Sequence, residues 1–95
     1  MGRNVGEPDF TTGQVTIGTA PTKIVGERSN RRSILVIQHG TNAVYLGKHR
    51  TDLALTTTNG VLLVGNAGTG LSIPTTDEVW GVAGAEQLIS YIEIY

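Results

Sequence analysis

The sequence predicts an all-β protein: a small β-sandwich or barrel of seven to eight short, mostly antiparallel strands, with an extended N-terminal arm. Three observations predict it. Apolar runs of strand length recur roughly every 8 to 12 residues. Thirteen glycines and thirteen threonines in 95 residues suit tight turns and half-exposed pleated strands. No stretch repeats its apolar residues at the helical spacing that would bury one face.

Residues 1–13, MGRNVGEPDFTTG, carry three glycines, a proline and mixed charges without a period, and are expected to form an arm that orders on docking. Phe10 either plugs the edge of this domain's own core or anchors the arm on a neighbour. The single β domain is expected over residues 14–95. Gln14-Val15-Thr16-Ile17-Gly18 alternates strictly and predicts a first strand with Val15 and Ile17 inward. Lys23-Ile24-Val25 predicts a short second strand, stopped by Gly26. Glu27 to Arg32 then makes a charged loop in which Arg28, Arg31 and Arg32 either sit in solvent or meet acidic groups of a partner.

Ser33 to Gly47, SILVIQHGTNAVYLG, is the centre of the chain. Two runs rich in β-branched and aromatic residues flank Gly40-Thr41-Asn42 and read as a β-hairpin. Ile34 and Val36 face one way, Leu35 and Ile37 the other, so the first arm is expected to be covered on both faces by a second layer or a partner subunit. His39 is expected as a hydrogen-bonded interior histidine, and His49, between Lys48 and Arg50, as a solvent-exposed spectator. Leu53-Ala54-Leu55 reads as a short strand or a helical turn.

Asn59-Gly60 is a strong turn signal, and the apolar Val61-Leu62-Leu63-Val64 after it predicts a strand. Gly65 to Gly70 has a phosphate-loop look but lacks the Lys-Ser/Thr pair and a following helix start, so it reads as a β–β connection. Leu71 and Ile73 give a short strand closed at Pro74. Glu78 to Gly84 gives another, with Trp80 opposite in parity to Val79 and so either covering the outer layer or meeting another subunit. Leu88 to Tyr95 is the last strand, carrying Tyr91 and Tyr95.

Composition narrows the function. A chain of this length buries only about 60 to 65% of its unfolded surface, so its stability calls for outside support. The absence of cysteine removes disulfides and thiolate metal sites, and neither His39 nor His49 has a second ligand at a familiar spacing. Oligomerisation is the support that remains. The first fifty residues hold seven bases against three acids, a net of +4, and the remaining forty-five hold five acids and no base, −5. Opposed on two faces, such charges would favour head-to-tail contact between subunits.

No apolar leader region and no membrane-spanning run is visible, so the expectation is a soluble protein without a membrane partner. No nucleophile–base motif, paired carboxylates or cofactor loop is present, and the expectation is no enzyme, no cofactor and no metal. The arginine loop lacks the interleaved aromatics of nucleic-acid surfaces, which argues against a nucleic-acid partner.

Taken in order, the VTI strand, the Asn30-Arg31-Arg32 segment, the Arg32 to Gly47 stretch, the late Gly-rich loop, the E-V-W-G-V strand and the terminal I-E-I strand make a pattern that resembles the small all-β structural proteins of tailed bacteriophages. These include capsid decoration (cement) proteins, head-fibre bases and fibre modules. The resemblance covers residues 14–95 and rests on pattern, so it transfers no site residues. It implies a virion component at the capsid surface without catalytic activity, often a trimer seated where capsid subunits meet.

On this expectation the partners are the major capsid protein and further copies of the chain. Candidate capsid contacts are Phe10, Arg28, Arg31 and Arg32; candidate subunit contacts are Trp80, Tyr91 and Tyr95. The alternative expectation is a receptor- or glycan-binding module of a fibre or tail, with Trp80 or Tyr91 and Tyr95 as a stacking platform.

Overall fold

The computed structural model describes residues 9–95. Eight strands form two four-stranded antiparallel sheets: β1 (Phe10–Ile17), β2 (Thr22–Val25), β3 (Ser33–Gln38), β4 (Val44–Gly47), β5 (Val61–Leu63), β6 (Gly70–Ile73), β7 (Val79–Ala83) and β8 (Gln87–Ile94). One sheet runs β1-β8-β3-β6 and the other β2-β7-β4-β5. This pairing order, with the long strands β1 and β8 adjacent and successive strands alternating between sheets, is that of an eight-stranded jelly roll.

The strand count agrees with the sequence, but the connectivity does not. The chain changes sheet at six of its seven connections, and only β4 and β5 are consecutive neighbours within one sheet. The expected hairpin at Ser33–Gly47 is therefore a crossover. β3 lies between β8 and β6, whereas β4 lies between β7 and β5. Five linking residues suffice for the roughly 10 Å between packed sheets. The linker is tied across to the β7–β8 connection: the Asn42 backbone N–H donates to Gln87 Oε1 at 3.0 Å, and the Asn42 side-chain amide donates to the Glu86 carbonyl at 3.0 Å.

Alternation sets the core. From β3, Ile34 and Val36 point between the sheets with Ile89 of β8, meeting Val44 and Leu46 of β4, and all five are buried. Gln38 takes the next inward slot and is buried with its amide donating to the Asn42 carbonyl at 2.9 Å. That parity leaves His39 pointing outward, so the expected interior histidine is exposed. Its Nε2 lies 2.5 Å from Ser90 Oγ.

β1 begins at Phe10, paired with Ile94, four residues before the expected Gln14. Phe10 to Gly13 are thus strand, Asp9 precedes it as a non-strand residue, and the rest of the expected arm, residues 1–8, lies outside the described residues. Leu53 to Leu55 forms neither strand nor helix. Only an isolated Arg50–Leu53 bridge marks it, and Leu55 is buried as part of a roof over the outer face of the β2-β7-β4-β5 sheet. A Cβ on Gly60 would stand 2.7 Å from Tyr45 Cβ and 3.1 Å from Leu55 Cδ1, so the β4–β5 loop lies directly on that face. His49 belongs to the same roof. Its Nδ1 accepts the Leu55 N–H at 3.2 Å and its ring lies 5.0 Å from Trp80, so the expected spectator is a packing residue.

Candidate partner-docking end

Jelly-roll connectivity gathers the loops at two ends. At one end lie the β2–β3, β4–β5 and β6–β7 connections with the start of β1 and the end of β8. At the other lie the β1–β2, β3–β4, β5–β6 and β7–β8 connections. Among the described residues, Glu86 is the only charged side chain at the second end. The other twelve, from Asp9 to Glu93, lie at or next to the first. The +4/−5 split along the sequence is therefore not a split between two faces. Bases from the first half and acids from the second meet at one end and neutralise each other.

The centre of this end is Arg31, 2% exposed. Its Nη1 donates to Glu93 Oε2 at 2.8 Å and to the Gly26 carbonyl at 3.0 Å, its Nε donates to the Thr75 carbonyl at 3.0 Å, and its Nη2 donates to the Asp77 carbonyl. Glu93 is 3% exposed, and also receives Arg28 Nε at 3.1 Å and the Thr11 hydroxyl at 3.3 Å. Glu93 sits inward on β8 because its parity is that of Ile89, so its charge needs a partner inside the sandwich. Arg31 is thus a clamp joining the β2–β3 loop, the β6–β7 loop and β8. It is not available as a capsid contact, because every part of its guanidinium is already engaged within its own chain.

Arg28 and Arg32 are exposed beside it, and the Arg32 backbone N–H donates to the Ile94 carbonyl at 2.7 Å. Tyr95 ends the chain half-buried, its N–H donating to the Asp9 carbonyl at 2.8 Å. Phe10 is 63% exposed and lies against Ile92 and Ile94 on the outer face of the β1-β8-β3-β6 sheet. The fold therefore brings Phe10, Arg28, Arg32 and Tyr95 together where β1 starts.

Tyr91 and Trp80 lie elsewhere. Tyr91 points between the sheets and packs over Gly13, where an added Cβ would meet its ring at 2.5 Å. Trp80 stands on the outer face of the other sheet. His49 tilts against it, Lys23 Nζ lies 5.5 Å from the ring centre, and Nε1–H donates to Glu78 Oε1 at 3.1 Å. A ring so engaged offers little open face to a sugar.

Two carboxylates at this end are held below their ordinary pKa values. For Asp77 the cause is the hydrogen bond from the Lys48 ammonium, then the Glu78 backbone N–H; for Glu78 it is the Trp80 indole N–H, then Lys23 at 3.2 Å. An apolar cleft of about 310 Å³ opens beside them between β5 and β6, walled by Leu46, Val61, Leu71, Ile73 and Val79. Among the described residues no group of three or more His, Cys, Asp or Glu side chains is placed to hold a metal ion.

Glu93 is the buried charge that sequence reasoning does not single out. Its signal is an acid on the same parity as Ile89 in a mostly apolar strand, with an Arg-rich loop elsewhere to answer it. No family model, curated protein or solved structure matches this chain.

Proposed function

We propose that this protein is a structural component of a tailed-bacteriophage virion, a capsid decoration protein that binds the outer shell surface as an oligomer and stabilises the head. The observation that carries the reading is the jelly-roll pairing order combined with a single charged end. Jelly rolls are a recurrent architecture of viral shell proteins, although a fold alone does not assign a function. Here the exposed Arg28 and Arg32 stand beside the start of β1, the point from which residues 1–8 lead off. A docking end built this way joins a charged surface to a leading segment that can lie along an exposed sheet edge of the major capsid protein. Weak single contacts of this kind add up when many copies bind one particle. The role needs no catalysis and no cofactor.

The test uses heads, free of this protein, from the phage that carries its gene. The full chain, a variant lacking residues 2–8, and an Arg28→Ala/Arg32→Ala variant are each mixed with the heads and sedimented. The full chain should co-sediment at a fixed number of copies per head and raise the temperature at which heads rupture. Both variants should fold but bind more weakly. A full chain that leaves the heads bare would overturn the proposal; variants that decorate as fully as the parent would place docking elsewhere.

A further inference from the structure

The two sheets differ in what covers their outer faces. The β4–β5 loop roofs the middle of the β2-β7-β4-β5 sheet with Leu55 and His49 and leaves Leu62 at the β5 edge 49% exposed. On the β1-β8-β3-β6 sheet, cross-strand pairing places thirteen strand positions outward, and none is charged. Six are large and apolar: Phe10, Leu35, Ile37, Leu88, Ile92 and Ile94. The other seven are Ser, Thr, Gln or Gly. Ile92 and Leu35 are direct cross-strand neighbours in the middle of the face, flanked by Thr12 and Ser72 at its edges. An apolar centre with an uncharged polar margin is the composition of a protein interface, whereas a sheet facing water normally alternates apolar-in with charged or polar-out.

We propose that this face packs against the same face of a second copy of the chain. The occupant follows from electrostatics. A charged partner surface would lose its hydration against thirteen uncharged positions and find no counter-charge there. A second copy brings an equally uncharged face, so self-contact carries no such loss, and the charged groups stay at the end of the sandwich in water. Size agrees with a reversible contact. Four strands at about 4.8 Å spacing and about seven residues at 3.3 Å make a face of roughly 450 Å². Two such faces total about 900 Å², below the roughly 1,200 Å² at which stable interfaces begin and in the range of weak, transient contacts, so association at micromolar rather than nanomolar concentration is expected. This moves the subunit contact from Trp80, Tyr91 and Tyr95 to Phe10, Leu35, Ile37, Leu88, Ile92 and Ile94. It deepens the oligomer part of the proposed function and rests on it, yet it is tested without any shell, so the two fail separately.

The experiment is sedimentation equilibrium of the full chain from about 1 to about 200 μM, beside three single variants. Leu88→Lys and Phe10→Lys place a charge on the face at its two exposed apolar positions. Leu62→Lys places the same charge at a comparably exposed leucine on the other sheet, and thermal melts confirm folding of each. The parent should rise above the 10.1 kDa chain mass with concentration. Leu88→Lys and Phe10→Lys should each weaken association at least about tenfold, and Leu62→Lys should leave it within about twofold. A parent that stays at monomer mass throughout overturns the inference. So does Leu62→Lys dissociating the protein while the two face variants do not.

Discussion

Glu93→Gln tests whether the buried clamp, rather than the apolar core alone, holds the charged end together. At 95 residues the whole domain has a stability of about 5 to 14 kcal/mol. Breaking a buried ion pair by removing one partner costs about 3 to 5 kcal/mol, because the surviving charge is left uncompensated. Glutamine retains one acceptor oxygen near Arg31 Nη1, and the Gly26, Thr75 and Asp77 carbonyls still receive the guanidinium. The expected loss is therefore at or below the bottom of that range, about 2 to 3 kcal/mol. Loss of Arg28 as a second partner of Glu93 adds little, since the Arg28 side chain is 55% exposed.

Arg31→Met should cost more, about 3 to 5 kcal/mol, because it strands three loop carbonyls as well as Glu93. The Arg31→Met/Glu93→Gln double variant should fall short of the summed single losses by at least about 1.5 kcal/mol, since it leaves no lone charge. Urea unfolding followed by Trp80 fluorescence measures all three, and in a thermal melt the Glu93→Gln loss corresponds to roughly 10 to 20 °C. A Glu93→Gln loss below about 1 kcal/mol, or strictly additive single and double variants, would refute the claim that the pair acts as a buried unit.

Three further outcomes follow from the packing. Gly65→Ala should destabilise by about 2 kcal/mol or more, because its Cβ would stand 2.1 Å from the Thr41 backbone oxygen; Gly18→Ala, with open space around it, should be neutral or stabilising by up to about 1 kcal/mol, both read by urea midpoint. Leu55→Ala should cost about 2 to 3 kcal/mol and change Trp80 fluorescence, because Leu55 is 4% exposed and its backbone holds His49 against the indole. Acid should loosen the charged end. Asp77 and Glu78 have folded pKa values below their unfolded ones, so their contribution is complete above the unfolded values and lost as pH falls through about 4 and below. Melts of Asp77→Asn/Glu78→Gln should lie below the parent at pH 7, and the gap should shrink as pH falls below the usual carboxylate range; a gap that stays constant with pH would contradict the assignment.

What was legible in the sequence was local. Strict alternation marked β1, paired apolar parities marked β3, and Asn59-Gly60 marked the turn before β5; these depend on neighbours one or two residues away. What was not legible was pairing between distant residues. Ser33–Gly47 has the composition of a hairpin, but hairpin closure competes with the pairs that each arm makes elsewhere. β3 has β8 and β6 on its two edges and β4 has β7 and β5, so both edges of each arm are taken by strands distant in sequence, and none of those pairings is visible in the local pattern. The same non-local effect hid Glu93. Its cation is sixty-two residues away, and no rule based on spacing along the chain connects the two. The double parity of Ile34–Ile37 predicts a strand covered on both faces, and the structure covers one of them from within the chain. Ile34 and Val36 meet the second sheet, whereas Leu35 and Ile37 stay half-exposed on a sheet without an outward charge. The second apolar parity of β3 thus faces outward, and among the described residues no part of the chain lies over it as the β4–β5 loop lies over the other sheet.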